Sequence, residues 1–380
     1  MPAYNSELSQ IPMSNYSIHK NLSGAELTID LNAVEANYSI LCSKAQKARV
    51  AAVVKADAYG TGMSQVARVL SLAGCKTFFV AHISEGVKLR NLLPDAEIHI
   101  LNGLLIGTEE AYTVNNLIPV LGSIDEIDRW ITFSNKATHL CDLHIDTGML
   151  RLGLPPYEFK ILLRDSARLS RLKLNLVISH LASADIQNSP QNIKQLEAFR
   201  TVRQLFPEGS SSLANSAGIF LGPEFFGDVV RPGIALYGCN PTPWLSNPMH
   251  SVINLKAKII QCRNASPGET VSYGATYPIT KPTTVATVSV GYADGYLRSL
   301  SNKGLTNING IQIPIIGRVT MDTIMVDVSD LPESRRKPGD WVELIGDTIS
   351  VDALADAAGT IPHEILTNLG NRYHREYLND

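Results

Sequence analysis

From about residue 25 to residue 245, short apolar, β-branched runs alternate with stretches of helical period. The runs are 50–56, 77–82, 98–101, 117–121, 139–146, 173–180 and 210–214. Helical stretches lie between them, among them 63–73, 84–92, 123–134, 157–168 and 190–206. Strand–helix alternation sustained this long predicts a parallel sheet covered by helices. The strands are continuously apolar rather than alternating, which predicts burial on both faces. About eight units fit an α/β fold closed as a (β/α)8 TIM-like barrel.

Beyond Cys239 the texture changes. Residues 240–248 (NPTPWLSNP) are rich in Pro and Asn and read as a linker. The runs 252–262, 284–290, 311–316, 323–328 and 341–345 follow, several separated by Pro-Gly, Asp-Gly or Asn-Gly turns. They predict a mainly β second domain, closed by a helix at about 362–370. The expected organisation is a flexible N-terminal arm over 1–22, a barrel over 23–248 and a mainly β C-terminal domain over 249–380.

Composition narrows the class. The 380 residues are 44% hydrophobic and 18% charged, which excludes a disordered chain and allows a large core. The net charge of −3, with no basic stripe, argues against a nucleic-acid partner. No apolar run approaches the ~18 residues of a membrane span. The first 20 residues are polar and lack the apolar core of a secretory signal. The five cysteines are odd in number and form no C-x-x-C pair, so neither a disulfide framework nor a zinc site is expected, and no metal. A cytoplasmic, reducing compartment is the economical expectation.

The barrel's polar residues fall in a telling place. Lys55 and His180 end apolar strands, Asn215 and Ser216 follow Leu213, Arg231 ends Asp228-Val229-Val230, and Arg151 lies just past Asp146-Thr147-Gly148. Each alone has an ordinary explanation. A strand-end lysine snorkels to water, a serine before Ala-Gly caps a helix, and Arg231 pairs with Asp228. Tyr273, Tyr292 and Met321 read by default as a strand aromatic, a turn aromatic and a core side chain. Five polar groups from different strands at one barrel mouth, however, make a candidate site, because barrel active sites lie on that face. A lysine beside a phosphate-cradling helix start, a histidine and an arginine suits pyridoxal phosphate, whose aldehyde a lysine binds as a Schiff base.

The segment 52–60 (AVVKADAYG) resembles the lysine motif of the alanine racemase family. So do 146–153 (DTGMLRLG), Ser179-His180, 214–218 (ANSAG), 231–238 (RPGIALYG), 272–274 (SYG), 290–295 (VGYADG), 317–322 (GRVTMD) and the tail 372–377. These motifs stand in family order over roughly residues 25–378. The resemblance implies a homodimer whose active site is shared between chains, with pyridoxal 5'-phosphate as cofactor. It implies that Lys55 holds the cofactor as an internal aldimine and serves as one base. Tyr273 of the partner chain is the implied second base. Tyr59, Ser216, the backbone of Gly233 and Ile234, and Tyr377 are implied at the phosphate. Arg231 is implied at the pyridine nitrogen, with His180 beside the ring and Asn215 among the cofactor-binding residues. Arg151 is implied at the cofactor's phenolic oxygen and the substrate carboxylate, the backbone N–H of Met321 from the partner chain at that carboxylate, and Asp185, Tyr292, Arg298 and Arg318 along an access channel. The implied reaction interconverts L- and D-alanine by a two-base route through an external aldimine, supplying D-alanine for peptidoglycan.

Two departures stand out. His144 occupies the position where many members carry a carbamylated lysine that bonds the arginine seven residues on, and histidine forms no equally stable carbamate. Thr320 stands where a cysteine is common. Retained Tyr273 and Tyr377 are expected to narrow the pocket to about a methyl side chain, which favours alanine. The alternatives are a broader amino-acid racemase and a non-catalytic pyridoxal-phosphate barrel protein, and about 130 further residues carrying Tyr273 speak against the second.

Overall fold

The computed structural model describes residues 22–134, 139–206 and 210–379. The N-terminal arm expected over 1–22 lies outside them except for Leu22. The chain folds as two compact units. One holds Asp30–Ile253, Ser350–Leu369 and the residues from Tyr377. The other holds the residues up to Ile29, Asn254–Ile349 and Gly370–Glu376.

In the first unit seven strands pair in parallel in chain order: Ala52–Val53, Thr77–Val80, Glu97–Ile100, Ile118–Leu121, Leu140–His144, Lys173–Ile178 and Ser210–Ser212. An eighth, Val229–Val230, pairs in parallel with Arg49–Val50. Ala51 alone separates that pair from Ala52–Val53, and its N–H donates to the Val230 carbonyl at 2.9 Å. On the other side Asn215 bridges Arg231, whose N–H donates to the Ala214 carbonyl at 2.9 Å. The sheet thus returns to its first strand, as a (β/α)8 barrel requires. Thr77–Val80 and Ile118–Leu121 are buried at every position, which is why they read as unbroken apolar runs.

The outer helices follow their apolar stripes. Met63–Leu72 buries Met63, Val66, Ala67, Val69 and Leu70, the spacing of one helix face. Pro156–Arg164 and Pro190–Leu205 both begin with proline, whose missing N–H is no loss at a helix start. The stretch 157–168 divides at Asp165, which accepts from the Arg168 N–H at 2.9 Å and starts a new turn. Helix Leu31–Ala45 was not marked by the alternation, because no barrel strand precedes it. The Asp30 side chain caps it through the Ala33 N–H at 3.0 Å.

The second unit is mainly β. Its axis is the 13-residue strand Ile253–Ala265. The first half pairs antiparallel with Trp341–Ile345 and the second half with Thr283–Val288. A register shift between Ile259 and Gln261 accompanies the change of partner, as a bulge allows. Ile324–Asp327 adds to Thr283–Val288, and Leu305–Ile308 forms a hairpin with Ile311–Pro314 through Asn309-Gly310, both at positive φ. Strand Ala25–Asp30 pairs in this sheet although it falls within the expected barrel span. Its alternation explains this: Ala25, Leu27 and Ile29 are buried on one face, as in a two-sided sheet. Helices Val351–Ala358 and Pro362–Thr367, by contrast, belong to the barrel's unit.

Candidate active site

The apolar run 50–56 does not remain a strand to its end. It stops at Val53, and Ala56, Asp57, Ala58 and Tyr59 take φ values of 52, 53, 53 and 55°. That is one turn of left-handed helix built from L-residues, at a cost of roughly 1–2 kcal/mol per residue. Hydrogen bonds offset the strain. The Ala56 N–H donates to Glu85 Oε1 at 2.7 Å, Ala58 N–H to Val54 O at 3.0 Å, and Met63 N–H to Asp57 Oδ1 at 2.9 Å. Gly60 closes the turn at φ 78°, and a Cβ there would lie 2.2 Å from the Leu366 carbonyl oxygen. The turn presents Lys55 half-buried at the strand end. Burial and the nearby Arg151 lower its ammonium pKa, and Glu85 opposes them.

Arg231 is buried at 4% exposure. Its Nη1 donates to Ser212 Oγ, and its Nη2 to the Ser179 carbonyl at 2.5 Å and toward His180 Nδ1 at 3.5 Å. Burial brings the guanidinium down to about 10, so it is still charged at pH 7. His180 is held well below its usual value by burial, then by Arg231 and Arg151, and is a neutral imidazole. His144 is likewise lowered, to about 4, by burial and by Arg231.

Ser216 Oγ accepts from the Gly233 N–H at 2.9 Å and the Ala235 N–H at 3.3 Å. A Cβ at Gly233 would sit 2.2 Å from Tyr59 Oη, and one at Gly62 2.1 Å from Tyr377 Oη, so both hydroxyls reach bare backbone. Tyr59 stacks on Tyr237 at 4.7 Å. Ile234 follows Gly233 at the start of the turn Ile234–Tyr237. Asn215 uses its side chain locally, accepting from the Gly218 N–H at 3.0 Å and donating to the Leu181 carbonyl at 3.4 Å.

Arg151 stands on a loop organised by Asp146, whose Oδ1 accepts from the N–H groups of Gly148 and Met149 at 2.9 Å and Leu150 at 3.2 Å. Its charge acts on Lys55, His144 and His180. Asp185 is exposed on the loop after strand Lys173–Ile178.

The remaining predicted residues lie in the second unit. Tyr273 is 74% exposed, and the Arg318 guanidinium lies where a Cβ on Gly274 would be 2.9 Å from Nη1. Met321 tips a turn closed by the Thr320 N–H on the Thr323 carbonyl at 3.0 Å. Tyr292 and Ala293 donate from their N–H groups to the Thr320 and Met321 carbonyls, each at 3.0 Å. Arg372 binds Asp294 at 2.6 Å and Asp322 at 2.7 Å, tying these loops together. Arg298 is exposed and opens a single turn, Arg298–Leu300, whose Leu300 is buried.

Sequence reasoning missed three participants. Glu85 holds the lysine turn, and its place at the third position of helix Ile83–Leu92 is a capping-box signal. Asp146 is an Asp four residues before a positive-φ loop residue, Leu150. His363 packs beside Tyr59 at 5.8 Å and feels the charge of Lys55. No local signal links it to a lysine 308 positions earlier.

Pyridoxal phosphate, the cofactor implied by the resemblance, fits these residues. A buried guanidinium whose hydrogen-bond partners are a hydroxyl, a carbonyl and a neutral ring suits a neutral acceptor such as a pyridine nitrogen. The bare backbone at Gly233 beside Tyr59 Oη and Ser216 Oγ suits a phosphate. Among the described residues no His/Cys/Asp/Glu cluster could hold a metal ion, and no helix is long and apolar enough to cross a membrane.

Fold and site define an α/β-barrel protein with a lysine-bearing, cationic mouth and an appended β unit. Residues 29–241 match the family described as alanine racemase, N-terminal domain, and residues 252–377 the alanine racemase C-terminal domain. The chain is 45% identical over 364 residues to "Alanine racemase, biosynthetic" of Agrobacterium fabrum, covering 93% of each. It is 46% identical over 363 residues to alanine racemase of Rhodospirillum rubrum, covering 94% of this chain and 97% of that one. Its fold matches the crystal structure of alanine racemase from Bartonella henselae with covalently bound pyridoxal phosphate. That match has a TM-score of 0.91 and 41% identity, over 94% of this chain and 100% of that one. The chain belongs to the alanine racemase family.

Proposed function

We propose that this protein interconverts L- and D-alanine with pyridoxal phosphate bound at Lys55, and so supplies D-alanine for peptidoglycan in the cytoplasm. Convergence of Lys55, Arg231 and the Ser216–Gly233 cradle on one barrel mouth carries this reading. When bound, the cofactor supplies an electron-withdrawing ring that acidifies the substrate Cα–H.

The chain's own residues do the rest. Lys55, with its ammonium pKa lowered by burial, moves a proton at one face of Cα. Tyr273 from a second copy serves the opposite face. Arg231 donates to the ring nitrogen, and being charged at pH 7 it gives that atom no proton. His180, neutral beneath a cation, orients between Arg231 and the ring. Ser216, Tyr59, Tyr377 and the N–H groups of Gly233 and Ile234 bind the phosphate, with Asn215 holding the loop that carries Ser216. Arg151 and the Met321 N–H of the second copy bind the substrate carboxylate, and Asp185, Tyr292, Arg298 and Arg318 line the access channel.

Exposure supports a homodimer. Tyr273 and Met321 are exposed on the β unit, and Ile106 and Leu150 on the barrel's mouth loops. Apolar groups so exposed on each unit suit coverage by a second chain. Five free thiols suit a reducing compartment.

The test is incubation with L-alanine in D2O, followed by NMR and chiral chromatography. D-alanine carrying deuterium at Cα, with little product from serine or lysine, is expected. Exchange without inversion would remove Tyr273 from the reading, and bound cofactor without exchange would remove the racemase.

A further inference from the structure

The strain in the lysine turn needs an anchor, and one side chain supplies it. Glu85 Oε1 accepts from the Ala56 N–H at 2.7 Å. Its Oε2 accepts from the Ala81 N–H at 2.8 Å and the His82 N–H at 2.9 Å. One carboxylate therefore joins the residue next to Lys55 to the end of the neighbouring strand. We propose that Glu85 is a positioning residue for Lys55, pinning the left-handed turn Ala56–Tyr59 to the loop after strand Thr77–Val80. The inference rests on the reading of Lys55 as the cofactor lysine.

The same device recurs two units along the barrel. Glu126 accepts from the Leu104 N–H at 3.0 Å and the Gly122 N–H at 2.6 Å, joining two strand-end loops. Among the described residues the left-handed run occurs at the Glu85 junction alone. Glu126 thus shows what such an acid does for the scaffold, and Glu85 does this beside a working amine.

A glutamine at 85 keeps the shape and one accepting oxygen. Its amide nitrogen cannot accept, so one side of the stitch opens. The titrating and charged groups facing Lys55 are Arg151, Glu85, His180 and His363. Removing the carboxylate leaves the Arg151 charge on Lys55 unopposed.

The experiment compares wild type, Glu85→Gln, Glu85→Asp and Glu126→Gln as holoenzymes. It records kcat and KM for alanine, thermal midpoint, and the pH midpoint of the bound-cofactor absorbance band. Glu85→Gln is expected to lower kcat by about tenfold or more, because displaced reacting groups lose rate steeply. KM is expected to change less, and the absorbance midpoint to move to lower pH. Glu126→Gln is expected to lose comparable thermal stability with its absorbance midpoint unmoved. Glu85→Asp keeps the charge but draws its oxygens back by about 1.5 Å. It is expected to lower kcat with the midpoint near wild type, and it carries the test if the glutamine variant does not fold. Wild-type kcat and midpoint in the Glu85 variants would overturn the proposal, as would an equal midpoint shift in Glu126→Gln. A wild-type protein that binds no cofactor at Lys55 would overturn the underlying reading instead.

Discussion

Two layers inside one barrel treat histidine in opposite ways. His144 lies two residues beyond Asp142 on strand Leu140–His144, so both point to the same face at successive depths. At the mouth, burial and cations keep His144, at about 4, and His180 neutral. One layer down, His99 is buried completely between Asp142 at 2.5 Å and Glu97 at 2.8 Å. Burial works against its charge, yet the two carboxylates lift it to about 9. Phe79 stacks on His99 at 4.3 Å and lies 5.9 Å from the Arg231 guanidinium carbon, so one ring adjoins both layers. Depth does not choose the protonation state. The charges beside each ring do: Arg231 foremost at His144 and His180, carboxylates at His99.

The sharpest way to break this contrast is to remove the mouth's buried cation. Arg231→Ala is expected to lower racemisation by about 100-fold or more. The His144 titration, followed by NMR, should rise from about 4. A His144 midpoint that stays put would mean that burial alone sets the upper layer.

Next in size is the lower layer. Asp142→Ala leaves a buried imidazolium with one partner, and urea unfolding should show a loss of about 3 kcal/mol. An unchanged midpoint concentration would mean that the His99 pair adds nothing.

The two layers also predict opposite limbs of the pH–stability curve. His99 is raised in the fold, so its contribution is complete below about 6.5 and is lost as pH rises toward 9. His144 is lowered, so stability falls as pH drops from about 6.5 toward 4, where the unfolded chain takes the proton first. Thermal melts from pH 4 to 10 should peak between the limbs. His99→Gln should flatten the alkaline limb and spare the acid one. The smallest effect belongs to Asp146→Asn. It removes the carboxylate that favours the His144 cation, so the midpoint should drop slightly, with about 1 kcal/mol of loop stability.

The barrel was legible because buried parallel strands read as unbroken apolar runs, and the runs recur with helices between them. The lower layer was not legible. Glu97-Ile98-His99-Ile100 reads as a strand with two stray polar residues, and its partner Asp142 lies 43 positions on. Nor does Ala-Asp-Ala-Tyr announce a left-handed turn, since three of those residues resist positive φ and tertiary hydrogen bonds impose it. Ala25–Asp30 shows the converse: its two-residue alternation is present in the sequence, yet the span expected for the barrel took it in. The candidate site was legible in part. Strand-end position marked Lys55, Arg151, His180, Ser216 and Arg231, whereas Tyr59, Tyr377 and the β-unit residues entered through resemblance. A hydroxyl that meets bare backbone at Gly233 or Gly62 leaves no trace in spacing.

The Leu366 carbonyl, close against Gly60, has a consequence for the order in which the molecule is made. A ribosome finishes the eight barrel strands by residue 230, yet Ser350–Leu369, which belongs to the same unit, emerges about 120 residues later, after the whole intervening β segment. Until then the lysine turn lacks that wall, and its strain is borne by bonds within the barrel strands' own span, Glu85 among them. Lys55 is among the first residues synthesised, yet the wall behind its turn is among the last segments to be added.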